Sequence, residues 1–190
     1  MAIETPAPEI TFDTELRGMP MRFSATWGLF SPRGIDTGTQ LLIEQLDIRE
    51  GDTCLDLGCG YGAIGITMAK CARTANVYMV DKDFVAVDYA RRNVKQNRLQ
   101  NCHVLLSNGF SHLPDIQFDI IASNLPANVG KELLHIFLTD AKTRLKPGGR
   151  FYVVTISGLR EFIKRKFRDI FGNYRKLKQR HTHTVAMAST

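Results

Sequence analysis

The sequence predicts a doubly wound α/β fold: a mostly parallel seven-stranded sheet with helices on both faces, preceded by an N-terminal hairpin. Three observations carry that prediction. From Thr53 onward, short β-branched runs alternate with amphipathic stretches, the signature of consecutive strand–helix–strand units. The first such run passes directly into a glycine-rich turn, Gly58-Cys59-Gly60-Tyr61-Gly62. The 190 residues, 44% hydrophobic and 23% charged, contain no repeat, low-complexity tract or linker, so the chain fits one domain, long enough to bury a core.

Residues 10–23 alternate apolar and polar around Arg17-Gly18, which reads as a hairpin. Residues 1–22 are assigned to an N-terminal extension and 23–190 to the main domain. Thr37 or Thr39 is expected to cap a helix running through Leu46. Strands are predicted at 53–57, 77–80, 103–106, 118–122 and 151–156, with strand-like segments at 174–178 and 183–188. Helices are predicted at 63–72, 84–97, 131–145 and 159–171. In the second of these, Val85, Tyr89 and Val94 are expected to face inward and Arg91, Arg92 and Lys95 outward. The third is expected to stop at Pro147-Gly148-Gly149. The fourth carries one apolar stripe of Leu159, Ile163, Phe167, Ile170 and Phe171.

Composition excludes several classes. No apolar run approaches the roughly 20 residues that cross a bilayer, and the acidic, proline-containing start MAIETPAPEITFDTE does not read as a signal peptide. A cytoplasmic protein is expected. Cys54, Cys59, Cys71 and Cys102 form no CxxC pair and read as small core residues in a reducing compartment; no metal is expected. The net charge of +6 favours polyanions. Between Arg160 and Arg180 stand nine Lys or Arg against Glu161 and Asp169, either a solvated helix face or a contact for phosphates.

In a doubly wound sheet, ligands bind beyond the carboxyl ends of the strands. There the sequence places Asp56 before the glycine turn, and Asp81 after the second strand, where a carboxylate commonly takes two ribose hydroxyls. Gly60-x-Gly62-x-x-Gly65 also matches a dinucleotide fingerprint. Asp56, however, would repel a diphosphate and favour a cationic amino acid. A ligand with adenosine at one end and an ammonium and sulfonium at the other fits both acids; S-adenosylmethionine is such a ligand.

Asp56-Leu57-Gly58-Cys59-Gly60-Tyr61-Gly62 resembles motif I of class I S-adenosylmethionine-dependent methyltransferases. Phe30-Ser31-x-x-Gly34-Ile35-Asp36-x-Gly38-Thr39-Gln40-Leu41-Leu42 is similar to the loop-helix start of its small-domain branch, which includes enzymes methylating guanine N2 in ribosomal RNA. The resemblance implies S-adenosylmethionine as cofactor, held by Asp56, Gly58, Cys59, Gly60, Gly62, Asp81, Lys82, Asn108, Gly109 and Asn124. Asn108 and Gly109, within Ser107-Asn108-Gly109-Phe110, sit where the family reads the adenine amino group.

It also implies that Asn124, Leu125 and Pro126 are catalytic, in the place of the family's Asn-Pro-Pro-aromatic motif. An exocyclic amine shares its lone pair with the ring. Accepting its two N–H protons on the Asn124 side-chain oxygen and the Leu125 carbonyl would free that pair, so positioning and electrostatics supply the acceleration. Leu125 replaces the first proline, and Ala127 stands where the family places an aromatic to stack on the base. Trp27, Phe30, Tyr61 or Phe110 would then have to substitute. The resemblance implies RNA as partner, met by a basic face including Lys164, Arg165, Arg168, Arg175 and Lys176, with Arg91, Arg92 and Lys95 adding to it. A small-molecule or protein-amide acceptor, and a degenerate cofactor-binding interaction module, are the alternatives.

Overall fold

A computed structural model of the chain describes residues 8–126 and 129–190. β1 (Glu9–Leu16) and β2 (Met19–Thr26) form an antiparallel hairpin. Arg17 and Gly18 close it at φ of 53° and 73°, the two left-handed residues that suit the twist of a two-residue loop. There follow α1 (Thr37–Ile43), β3 (Thr53–Leu57), α2 (Ala63–Cys71), β4 (Asn76–Asp81), α3 (Phe84–Gln96) and β5 (Cys102–Leu106). β6 (Phe118–Asn124), α4 (Lys131–Arg144), β7 (Leu145–Ile156), a single 3-10 turn, α5 (Arg160–Phe171), β8 (Arg175–Gln179) and β9 (His183–Ser189) complete the chain.

The seven-stranded sheet runs β5-β4-β3-β6-β7-β9-β8. β3 through β7 pair in parallel, and β9 enters antiparallel between β7 and β8. The predicted alternation and strand count are therefore observed. Strand order reverses at β3, which pairs with β4 on one side and β6 on the other. That reversal opens a crevice beyond the strand ends.

Side chains alternate across the sheet, so each central strand feeds two cores. Cys54, Ile120, Ala122, Tyr152 and Val154 join the hairpin residues Met21 and Phe23 and the helical residues Leu42, Ile66 and Met68 on one face. Leu55, Ile121, Phe151 and Val153 join Leu138, Ile163 and Phe167 of α4 and α5 on the other. Asp56 shares the parity of Cys54 and so points beneath α2.

Several local expectations are corrected. The helix expected to stop at Pro147-Gly148-Gly149 already ends at Arg144, and β7 starts at Leu145, opposite Phe118. The ladder then slips before Ile120 pairs with Arg150. Proline lacks a ladder donor and Gly148 lies at φ 74°, so the segment bulges while its flanks stay paired. α1 is capped by Asp36, whose carboxylate accepts from Thr39 N at 3.1 Å, and not by either threonine.

In α3, Val85 is exposed, whereas Asn93 is fully buried. Asn93 Oδ1 accepts from Ser24 N at 2.7 Å, and Nδ2 donates to Ser24 O and Tyr61 O, both at 2.8 Å. Asn97 Nδ2 likewise donates to Arg22 O at 2.7 Å. These amides dock the hairpin on the domain by completing the backbone of β2.

Among the described residues, no helix is long and apolar enough to cross a membrane. Among the same residues no group of three or more His, Cys, Asp or Glu is placed to hold a metal.

Candidate active site

A cleft of about 570 Å³ opens beyond the carboxyl ends of β3, β4 and β6. Its floor is the glycine turn after β3. Gly58 and Gly60 lie at φ of 75° and 55°, conformations that L side chains rarely adopt. A Cβ added at either would meet nothing within 4 Å, so bare backbone faces open space there. The turn is anchored from below: Gly58 N and Cys59 N both donate to Val80 O at 2.9 Å.

Asp81 ends β4 on the rim of the cleft. Its Oδ2 accepts from Gly60 N at 2.9 Å and its Oδ1 from Asp83 N at 3.0 Å. The same carboxylate thus shapes the turn and faces the cleft, with Lys82 and Asp83 beside it.

Asp56 is placed differently from the expectation. It is 0% exposed and is absent from the lining of the cleft. Its Oδ2 accepts from Gly65 N at 2.7 Å, while Oδ1 has no partner among the described residues. Burial pushes the carboxyl up to about 7, with the Gly65 N–H opposing that rise and the charge of Asp81 adding to it. Asp56 therefore supports the turn and the start of α2 from beneath.

Beyond β5, Ser107 N donates to Asp81 O at 2.8 Å, and Ser107 Oγ donates to Gly109 O at 2.8 Å. These bonds hold Asn108 and Gly109 on the cleft wall. Asn108 is exposed, with its side chain free of partners among the described residues.

The opposite wall carries Asn124, the last residue of β6. Its Nδ2 donates to Thr39 Oγ1 at 2.9 Å and to Asp36 Oδ2 at 3.2 Å. Its Oδ1 has no partner among the described residues. The preceding Ser123 donates to Leu57 O at 2.7 Å, tying the end of β6 to the end of β3. Leu125 buries its side chain and donates its N–H to Val154 O at 3.1 Å, while Pro126 lines the cleft.

The expectation about position 127 lies outside the described residues. Of the four aromatics considered as substitutes, Tyr61 is buried and its hydroxyl holds the loop by donating to Gly34 O at 3.1 Å. Phe110 belongs to the second core. Trp27 is half exposed beneath the Arg33 guanidinium, 4.5 Å from the ring centroid, and does not line the cleft. Phe30 does line it, with 66% of its surface open.

Asp36, Thr39 and His183 also line the cleft, a role that the sequence alone does not indicate. A Cβ on Gly38 would lie 2.7 Å from His183 Cδ2 and 2.9 Å from Asp36 Oδ2, so the bare glycine lets the start of α1 and the start of β9 meet. The Asp36-x-Gly38-Thr39 spacing was the available signal, but it does not reveal that Thr39 meets Asn124, 85 residues downstream.

Of the expected basic face, Arg165, Arg168, Arg175 and Lys176 are exposed and Lys164 is half-buried; none lines the cleft. Ile156 pairs with His183, and Gln179 with Thr184. The cleft end of this edge is therefore marked by Lys178 and Arg180, with Arg175 towards the opposite end. Arg92 is paired with Asp88 at 2.7 Å, and Arg91 donates to Val104 O at 3.1 Å, so both are partly engaged within the fold. Burial pushes the thiols of Cys54 and Cys102 up to about 12. Cys59 rises well above the usual thiol range for the same reason, and the charges of Asp56 and Asp81 add to it.

A family profile described as the methyltransferase small domain matches residues 20–187. The chain is 32% identical over 146 residues to YbxB of Bacillus subtilis (strain 168), covering 76% of this chain and 73% of that protein. It is 35% identical over 148 residues to ribosomal RNA small subunit methyltransferase C of Haemophilus influenzae (strain PittGG), covering 75% of this chain and 44% of that protein. Among solved structures, the T. thermophilus 16S rRNA N2 G1207 methyltransferase, in complex with AdoMet and guanosine, superposes with a TM-score of 0.88 at 28% identity. That superposition covers 97% of this chain and 51% of the other. The chain thus spans about half the length, or less, of these two ribosomal RNA methyltransferases.

Proposed function

The chain belongs to the methyltransferase small domain family, and on that premise we propose that it is an S-adenosylmethionine-dependent N-methyltransferase acting on an exocyclic amine of RNA, guanine N2 in ribosomal RNA. The observation that carries this reading is the sharing of one cleft by an acid-flanked glycine turn and an Asn124 oxygen open to accept.

The residues fit the cofactor. The cleft of about 570 Å³ falls within the usual range for small-molecule sites. Bare backbone at Gly58 and Gly60 permits close approach, and a cleft lined by Asp36, Asp81 and Asp83 suits a cation. When bound, S-adenosylmethionine supplies an electrophilic methyl carbon on a sulfonium. Asp81 takes the ribose hydroxyls; Gly58, Cys59, Gly60 and Gly62 shape the turn, and Lys82 stands at its rim. Asn108 and Gly109 read the adenine edge. Asn124 Oδ1 and the Leu125 carbonyl accept the two N–H groups of the acceptor amine, orienting its lone pair into the cleft, and Pro126 lines the cleft beside them. Phe30 stacks on the base.

RNA meets the protein outside the cleft, through Lys164, Arg165, Arg168, Arg175 and Lys176, with Lys178 and Arg180 nearer the mouth. Its affinity falls steeply as salt rises, because phosphate contacts release counterions.

Calorimetry with S-adenosylmethionine, followed by tritiated methyl transfer to ribosomal RNA, tests the reading. Wild type should bind the cofactor and Asp81→Ala should bind it at least about tenfold more weakly. Asn124→Ala should bind it but transfer little label. No binding by the wild type, or equal labelling by Asn124→Ala, would reject the assignment.

A further inference from the structure

A carboxamide presents two ends of nearly equal shape, one accepting and one donating, and its neighbours decide which end faces a ligand. At Asn124 the deciding neighbour is Asp36. Its Oδ2 lies 3.2 Å from Asn124 Nδ2, and Thr39 Oγ1 lies 2.9 Å from the same nitrogen. A threonine hydroxyl can either donate or accept, so Thr39 alone would tolerate both orientations. A carboxylate can only accept. Turning the amide over would set Asn124 Oδ1 against Asp36 Oδ2, two acceptors with no proton between them.

Asp36 is itself held. The same Oδ2 accepts from Thr39 N at 3.1 Å, and the Asp36 carbonyl accepts from Gln40 N at 2.9 Å. The first turn of α1 therefore fixes the carboxylate, and the carboxylate fixes the amide across the cleft.

We infer that Asp36 is a positioning residue that locks the Asn124 carboxamide with its oxygen towards the acceptor, and so restricts the acceptor to a group that donates a hydrogen bond, an N–H in the proposed reaction. The inference deepens the proposed function and rests on it for the identity of the reaction. A carbonyl or a proton-free ring nitrogen would meet an oxygen and be refused; an exocyclic amine donates to it. The acceptor class is thus written partly in α1, ahead of the whole strand–helix alternation.

Helix capping by Asp36 is separable from this role. Asparagine and serine cap a helix about as well as aspartate. Asparagine at 36, however, can donate as well as accept, and serine is too short to reach Asn124. The test therefore compares wild type, Asp36→Asn and Asp36→Ser by exchange of the Asn124 side-chain amide protons in a 15N-labelled sample, and by steady-state methylation of ribosomal RNA.

The wild-type amide protons should be protected, and Asp36→Ser should exchange them at least about tenfold faster while melting temperature stays close to wild type. In Asp36→Asn, kcat should fall at least about twofold while KM for RNA stays unchanged, and Asp36→Asn/Asn124→Ala should be no slower than Asn124→Ala alone. Equal exchange rates in wild type and Asp36→Ser would overturn the inference. So would a wild-type kcat for Asp36→Asn, or losses that multiply in the double variant. A wild type that binds cofactor but labels no amine would reject the proposed function, while the exchange comparison would still decide the role of Asp36.

Discussion

Replacing Asp56 with asparagine should flatten the pH dependence of stability around neutrality. The carboxyl is wholly buried, accepts one hydrogen bond from Gly65 N at 2.7 Å, and leaves Oδ1 unpartnered. Burial holds it at about 7 in the folded protein, against about 3.9 in an unfolded chain. Between those values the folded state keeps a proton that the unfolded state has released. Stability attached to this group is therefore present at low pH, declines as pH rises through the window, and is gone above about 7.

A gap of about three units at about 1.4 kcal/mol each sets a ceiling of about 4 kcal/mol. Because much of the titration is already over by mildly acidic pH, about 2 kcal/mol of it falls between about pH 5.5 and about pH 8.5. Asparagine keeps an acceptor for Gly65 N and cannot ionise. Urea unfolding of both proteins at the two pH values should show the variant gaining about 2 kcal/mol on wild type at the alkaline end. Asp47 and Asp119, held below the usual carboxylate range, lose their stabilising effect only at lower pH and cancel in the comparison. Parallel curves for the two proteins would mean that Asp56 stays ionised throughout, and the account of its burial would be wrong.

Two further outcomes follow from the geometry. Asn93→Ala strips partners from Ser24 N, Ser24 O and Tyr61 O at once; with each buried group left unpaired costing about 1–3 kcal/mol, unfolding in urea should reveal a loss of at least about 3 kcal/mol, and a loss under about 1 would show that the hairpin is held by its apolar face instead. Phe30→Ala removes the open aromatic ring of the cleft, so KM for RNA should rise about tenfold to a hundredfold while calorimetry finds cofactor affinity unchanged; an unchanged KM would remove Phe30 from the base site.

Local chemistry explains what the sequence made legible and what it hid. The strands were readable because each is a short β-branched run cut off by glycine, proline or a polar residue, and Arg17-Gly18 between alternating segments announces a hairpin. Asn93 was not readable. An amide on a helix with Arg91, Arg92 and Lys95 as neighbours reads as surface, and only the docking of β2 against α3 gives it partners to bury with. The start of β7 is not legible because Pro147-Gly148-Gly149 does disrupt a ladder locally, yet Leu145 and Arg150 pair on either side of the bulge. Asp56 and Asp81 both follow the pattern of an acid near a strand end. What separates them is depth along the strands, since both face the same side of the sheet: Asp56 pairs with Met79, two residues short of Asp81, and lies beneath α2, whereas Asp81 is the last residue of β4 and reaches the rim.

The same topology explains why a bare carboxamide ends a strand as apolar as β6. Asp56 pairs with Ala122 in the parallel register of β3 and β6, so two residues further on Gly58 and Asn124 leave the sheet side by side, although 66 positions separate them in sequence. A turn that admits a ligand to bare backbone and a strand end that presents one oxygen thus become neighbours because the strand order reverses at β3. The reversal does not choose which end of the amide is presented. That choice falls to α1, which precedes β3 in the chain and packs over the end of β6, where Asp36 and Thr39 occupy the nitrogen. A polar residue at Asn124 is tolerated at the edge of the core because its donor side is satisfied before any substrate arrives. Its acceptor side is left over for chemistry, and a fully satisfied amide at the same place would be a cap and nothing more.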